Sequence, residues 1–120
     1  MAKTVLVVDD YRDFRKIISI VLKRHGYDII EAADGYEAVE KAVEQHPDMI
    51  LLDLAMPVLD GIEAVKAIRR HEELENTPIV AITAYHDLYN EMARDAGCDA
   101  VLAKPVRIEH LEPIVSRYLH

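Results

Sequence analysis

The chain has 120 residues, 51% of them hydrophobic and 30% charged, a balance that excludes a disordered or fibrous chain. With 22 Asp and Glu against 14 Lys and Arg, the net charge of −8 makes direct nucleic-acid binding a poor fit. Cys98 is the single cysteine, which excludes an internal disulfide or a CxxC site and suits a reducing cytoplasm.

In chain order, residues 5–8 read as a first buried strand, and the apolar run that holds them is too short for a signal peptide or membrane span. Phe14, Ile17, Ile18, Val21 and Leu22 then fall at helical spacing, and Gly26 closes that helix. Residues 27–32 form a weaker strand, followed by a helix on Ala38, Val39, Ala42 and Val43 that Pro47 ends. Residues 49–52 are a second strong strand, and Ile62, Val65 and Ile68 mark a third helix. Pro78 opens a strand over residues 79–82, and Leu88, Met92, Ala93 and Ala96 mark the helix after it, closed by Gly97. A weak strand at 100–103 and a helix on Leu111, Ile114, Val115 and Tyr118 complete the chain. Pro113 interrupts that last pattern, so a kink or a fresh helix start is expected near Leu111.

Short apolar runs without polar alternation suit a parallel sheet covered on both faces. Five alternations of strand and helix therefore predict an α/β fold, a doubly wound five-stranded parallel sheet with five helices, as a single domain over residues 1–120. Ligands on such sheets bind beyond the carboxyl ends of the strands. Asp9 and Asp10 follow the first strand there and Asp53 follows the third. Singly, each reads as a helix cap or a solvated turn, and Asp10 suits a cap on the first helix. Converging on one cleft, they would repel one another and call for a hard cation with oxygen ligands, which points to Mg2+. Thr83 and Lys104 end the fourth and fifth strands and add a hydroxyl and a positive charge. A carboxylate so surrounded suits phosphoryl transfer, in which positioning and charge neutralisation dominate, with Asp53 as nucleophile.

The motifs VLVVDD, ILLDLAMPVLDG at residues 50–61, AITA at 81–84 and AKP at 103–105 stand in order along the chain. In these the sequence resembles a response-regulator receiver domain, the phosphoacceptor module of two-component signalling. The resemblance covers essentially the whole chain and implies the strand order 2-1-3-4-5. It implies Asp53 as the phosphoacceptor, Asp10 and Asp53 as direct Mg2+ ligands, Asp9 acting through water, and the backbone carbonyl of Ala55 completing the protein ligands. Thr83 would hydrogen-bond one phosphoryl oxygen, Lys104 would pair with another, and the Lys104-Pro105 bond is expected to be cis. Asp60 and Gly61 suit the turn into the third helix, with Asp60 as its cap.

The implied function is a phosphorylation-activated switch and not a turnover enzyme. Its donor would be a sensor histidine kinase or a histidine phosphotransfer protein, and its output would pass to a downstream protein through the fourth helix, fifth strand and fifth helix. With the chain ending at His120, no output domain is expected within it. Receivers usually carry an aromatic residue three positions before the lysine, where this chain has Val101, so the usual coupling of hydroxyl to aromatic ring is in question. Tyr85 is a candidate to take part of that role or to shield the acceptor from water, which would slow self-dephosphorylation; its plainer reading is a half-buried tyrosine opening the fourth helix. Three other readings compete: a receiver-like scaffold that is never phosphorylated; a small Mg2+-dependent phosphatase, which Ala55 disfavours because it supplies no general acid; and a nucleotide- or flavin-binding module, disfavoured because Asp9, Asp10 and Tyr11 stand where a glycine-rich turn would face phosphate.

Overall fold

Runs of Val, Ile and Leu too apolar to face water on either side build the sheet, and its strands alternate their side chains between two cores. The computed structural model describes residues 2–54 and 58–119, with the backbone alone for 58–60. Strands β1 (Thr4–Val8), β2 (Asp28–Ala32), β3 (Met49–Asp53), β4 (Ile79–Thr83) and β5 (Ala100–Ala103) pair in parallel in the order β2-β1-β3-β4-β5. Helices α1 (Arg12–Arg24), α2 (Gly35–Gln45), α3 (Val58–Arg69), α4 (His86–Ala96) and α5 (Ile108–Tyr118) connect and follow them. The fold class is thus as the sequence pattern predicts, and the strand order as the resemblance implies.

The period of two along each strand divides the apolar residues cleanly. Val5, Val7, Met49, Leu51, Val80 and Ile82 pack with Ile18 and Leu22 of α1 and Leu111 and Val115 of α5. Leu6, Val8, Ile50, Leu52, Ile79 and Ala81 pack with Ala38 and Ala42 of α2, Ile62, Val65 and Ile68 of α3, and Ala93 and Ala96 of α4. Cys98 belongs to this second core, where burial pushes its thiol up to about 12, so it acts as a packing residue.

Four local expectations are corrected. Helix α5 runs as one element from Ile108 to Tyr118 with Pro113 inside it, and no new helix starts near Leu111. Pro113 forfeits one ladder bond midway along the helix, while Leu111 and Val115, both buried, pin the segment to the core on either side of it. Helix α3 begins at Val58, so Asp60 lies within its first turn and Gly61 inside the helix instead of in a turn before it. The reason for Gly61 is close approach: a methyl group there would meet Leu54 Cδ2 at 2.3 Å. Ile17 of α1 and Leu88 and Met92 of α4, assigned to core stripes by their spacing, are exposed. Finally, Asp10 does not cap α1; the residue before that helix is Tyr11, whose N–H donates to Asp9 Oδ1 at 2.9 Å.

Candidate functional site

Parallel pairing brings the strand ends of β1, β3, β4 and β5 to one edge. Val8 lies opposite Leu52, Asp53 opposite Ile82, and Thr83 opposite Ala103, so Asp9, Asp53, Thr83 and Lys104 all emerge at the carboxyl side of the sheet. The strand order reverses direction between β1 and β3, and the crevice of such a fold lies there. The Leu54 N–H donates to the Ile82 carbonyl and the Lys104 N–H to the Thr83 carbonyl, which fixes the backbone on both sides of the cleft.

Lys104 Nζ lies 2.7 Å from Asp53 Oδ2, and the Asp53 carboxylate is 6% exposed. The same ammonium stands 5.6 Å from the centre of the Phe14 ring, a cation–π distance. Phe14 was legible only as a core position of α1, since ring placement over a lysine from the other end of the chain leaves no local signal. The Lys104-Pro105 peptide is cis.

Asp9 is 1% exposed. Burial pushes its carboxyl up to about 6; the Tyr11 N–H bond opposes this, neighbouring Asp53 adds to it, and Lys104 pulls the other way. Arg15 donates to the Asp9 backbone carbonyl at 2.7 Å and to Glu31 Oε1 at 3.0 Å, anchoring the loop that carries the acid. Burial raises the Glu31 carboxyl, but hydrogen bonds from Lys16 and Arg15 outweigh it and hold the group below its ordinary value.

Asp9 Oδ2 is buried with no hydrogen-bond partner, an expensive state for a carboxylate oxygen and one that a cation would relieve. Among the described residues no group of three or more His, Cys, Asp or Glu side chains is gathered as a ready metal cage. Asp10 is exposed, one residue beyond the Asp9 and Asp53 pair. Mg2+ needs no such cage, because it keeps several waters and uses one or two carboxylates. The donor set therefore fits it; the Ala55 carbonyl lies outside the described residues.

A metal-free protein should carry the strain of this pair as a pH dependence. A carboxyl whose folded value is raised binds its proton more tightly folded than unfolded, so its penalty is absent below about 4 and complete above about 6. In EDTA, Asp9→Asn should exceed wild type in unfolding free energy at pH 7 by about 2 kcal/mol. Urea titrations should show that gap closing as pH falls through that window; a gap independent of pH would refute the assignment.

Thr83 is fully buried at the end of β4, and its Oγ1 accepts the Tyr85 N–H at 3.0 Å. Tyr85 is 55% exposed, more than a half-buried residue, and its ring meets Tyr89 edge-on at 6.2 Å. Val101 is buried in β5, and its carbonyl is bound by His86 Nε2 at 3.0 Å. Sequence reasoning gave His86 no role.

A family model, the response regulator receiver domain, matches residues 5–116. The polar-differentiation response regulator DivK of Brucella ovis is 33% identical over 120 residues, covering 99% of this chain and 98% of that protein. The chemotaxis response regulator CheY4 of Vibrio cholerae superimposes with a TM-score of 0.90 at 35% identity, over 99% of this chain and 100% of that one. The receiver domain of the sensor histidine kinase PA1611 from Pseudomonas aeruginosa, whose structure has a magnesium ion coordinated in its active-site cleft, gives 0.89 at 35% identity, over 99% and 98%.

Proposed function

This chain belongs to the response regulator receiver domain family of two-component signalling, and on that premise we propose that it is a switch thrown by phosphorylation of Asp53. The observation that carries the reading is the buried Asp53 carboxylate held 2.7 Å from Lys104 beside the unsatisfied Asp9 oxygen. The donor is a phosphohistidine on a sensor histidine kinase or a histidine phosphotransfer protein. An Asp53 oxygen attacks phosphorus, the new O–P bond forms as the P–N bond breaks, and the electron pair returns to the imidazole ring. Lys104, already beside the carboxylate, stays to neutralise a phosphoryl oxygen, and the Thr83 hydroxyl donates to another. Asp9, Asp10 and Asp53, with the Ala55 carbonyl, would hold Mg2+, which when bound supplies further charge neutralisation for the transferred group.

The chain acts as one receiver domain over residues 1–120, a substrate of its partner with no turnover chemistry of its own. The cytoplasm, with its Mg2+ and phosphohistidine donors, is the compartment this reading requires. Among the described residues no helix is long and apolar enough to cross a membrane. Its output face is formed by α4, β5 and α5, where Tyr85, Leu88, Met92 and Ile108 are large apolar side chains left exposed. The test is intact-mass measurement after incubation with acetyl phosphate and Mg2+. Wild type should gain one phosphate and Asp53→Ala none; an equal adduct on both, or none on either, would overturn the assignment.

A further inference from the structure

The start of α4 lies between Thr83 and the edge strand β5, tied to each by a single hydrogen bond. Thr83 Oγ1 accepts from the Tyr85 N–H at 3.0 Å, and one residue later His86 Nε2 contacts the Val101 carbonyl, also at 3.0 Å. A carbonyl oxygen only accepts, so Nε2 carries the proton. No side chain caps this helix. Its first turn is therefore tethered at these two points, one to the site and one to β5.

The position in β5 that carries an aromatic ring in most receivers is Val101 here, 4% exposed and without a polar atom to move. Tyr85 is turned to Tyr89 and solvent. Among the described residues, the side chain with a hydrogen bond from the start of α4 to β5 is His86, and it reads the Val101 backbone. We propose that His86 is the residue that couples phosphorylation at Asp53 to β5, an inference that rests on the phosphoacceptor reading above.

A hydroxyl has one proton to give and two lone pairs, so Thr83 can donate toward a phosphoryl oxygen while still accepting from Tyr85. Displacement of Thr83 toward the site then draws the Tyr85 N–H and the first turn of α4 with it. His86 leaves the Val101 carbonyl, and β5 loses its tie to α4. A cleft of about 400 Å³ lined by Ala84, Tyr85, His86, Asp87, Leu88 and Ala103 gives that turn room to move.

The test is an amide chemical-shift titration of the full chain with beryllofluoride and Mg2+, which together mimic a phosphoryl group on a carboxylate. The Leu54 and Ala84 amides report the site, and the Leu102 amide, bonded to the Val101 carbonyl carbon, reports the latch. In wild type all three should move. In His86→Ala the site amides should respond as before, while the Leu102 response falls at least threefold. His86→Gln, which keeps a side-chain N–H donor, should recover at least half of it. A Leu102 response in His86→Ala equal to wild type overturns the coupling role alone; silent Leu54 and Ala84 amides in wild type overturn the phosphoacceptor reading with it.

Discussion

Replacing Arg69 with alanine should lower the unfolding free energy by about 3 kcal/mol, a large fraction of the roughly 5 to 15 kcal/mol of an ordinary domain. The guanidinium leaves the end of α3 and is 17% exposed. It donates to the carbonyls of Gly97, Leu74 and Thr77 at 3.0, 2.8 and 2.8 Å, and to Asp99 Oδ2 at 3.0 Å. Asp99 in turn accepts the Ile79 N–H at 2.8 Å. One side chain thus closes both the segment entering β4 and the turn entering β5. Alanine would strand the Gly97 and Thr77 carbonyls, while the Leu74 carbonyl would keep only the Thr77 N–H at 3.2 Å. Lysine offers one ammonium in place of a planar fork and should recover less than half of the loss. Urea midpoints of the three proteins decide the matter, and a loss below about 1 kcal/mol for alanine would show the network to be incidental.

Lys104→Ala should slow labelling by acetyl phosphate by roughly a hundredfold or more, the usual effect of deleting one preorganised charge partner of a transferring group. Without the ammonium at 2.7 Å, Asp53 and Asp9 face each other with their nearest cation gone. The metal-free variant should therefore also lose about 2 kcal/mol of stability at pH 7. The two effects separate by experiment. Saturating Mg2+ should restore most of the stability by neutralising the acids, yet leave labelling slow because the phosphoryl oxygen assigned to Lys104 still lacks its partner. Labelling at the wild-type rate in Mg2+ would remove Lys104 from the chemistry.

Much of this was legible because the strands are short, apolar and punctuated. Residues 5–8, 49–52 and 79–82 announce a sheet covered on both faces, and the side chains proposed to function follow those runs directly, so placing the strands also places Asp9, Asp53 and Thr83. Helix faces were less legible. Spacing alone assigned Leu88 and Met92 to the core, but α4 packs through Ala93 and Ala96, and periodicity does not say which edge of a stripe the sheet will cover. Asp60 and Gly61 were misread for a related reason: glycine signals a turn locally, whereas here it permits α3 to lie against Leu54. Pro113 was overweighted, since a single missing donor yields to two well-buried neighbours. The roles of Arg69, Phe14 and His86 had no local signature, because each acts on groups far along the chain that it meets only after folding.

The way α4 is seated has a consequence for how the domain stores its response. Two buried methyl groups hold it to the core; α2 is also seated on two alanines but adds the partly buried Val39 and Val43, and α1, α3 and α5 use leucine, isoleucine or valine. Burying a methyl group yields about 0.8 kcal/mol, against some 1.5 to 3 for a larger aliphatic side chain. This segment is thus the loosest-fitted panel of an otherwise firmly bolted shell, and a stimulus worth a few hydrogen bonds suffices to reseat it. The five-stranded frame is held by interlocking Val, Leu and Ile side chains, so under the proposed function the work done at Asp53 would be concentrated in one panel and not spread thinly through the whole molecule.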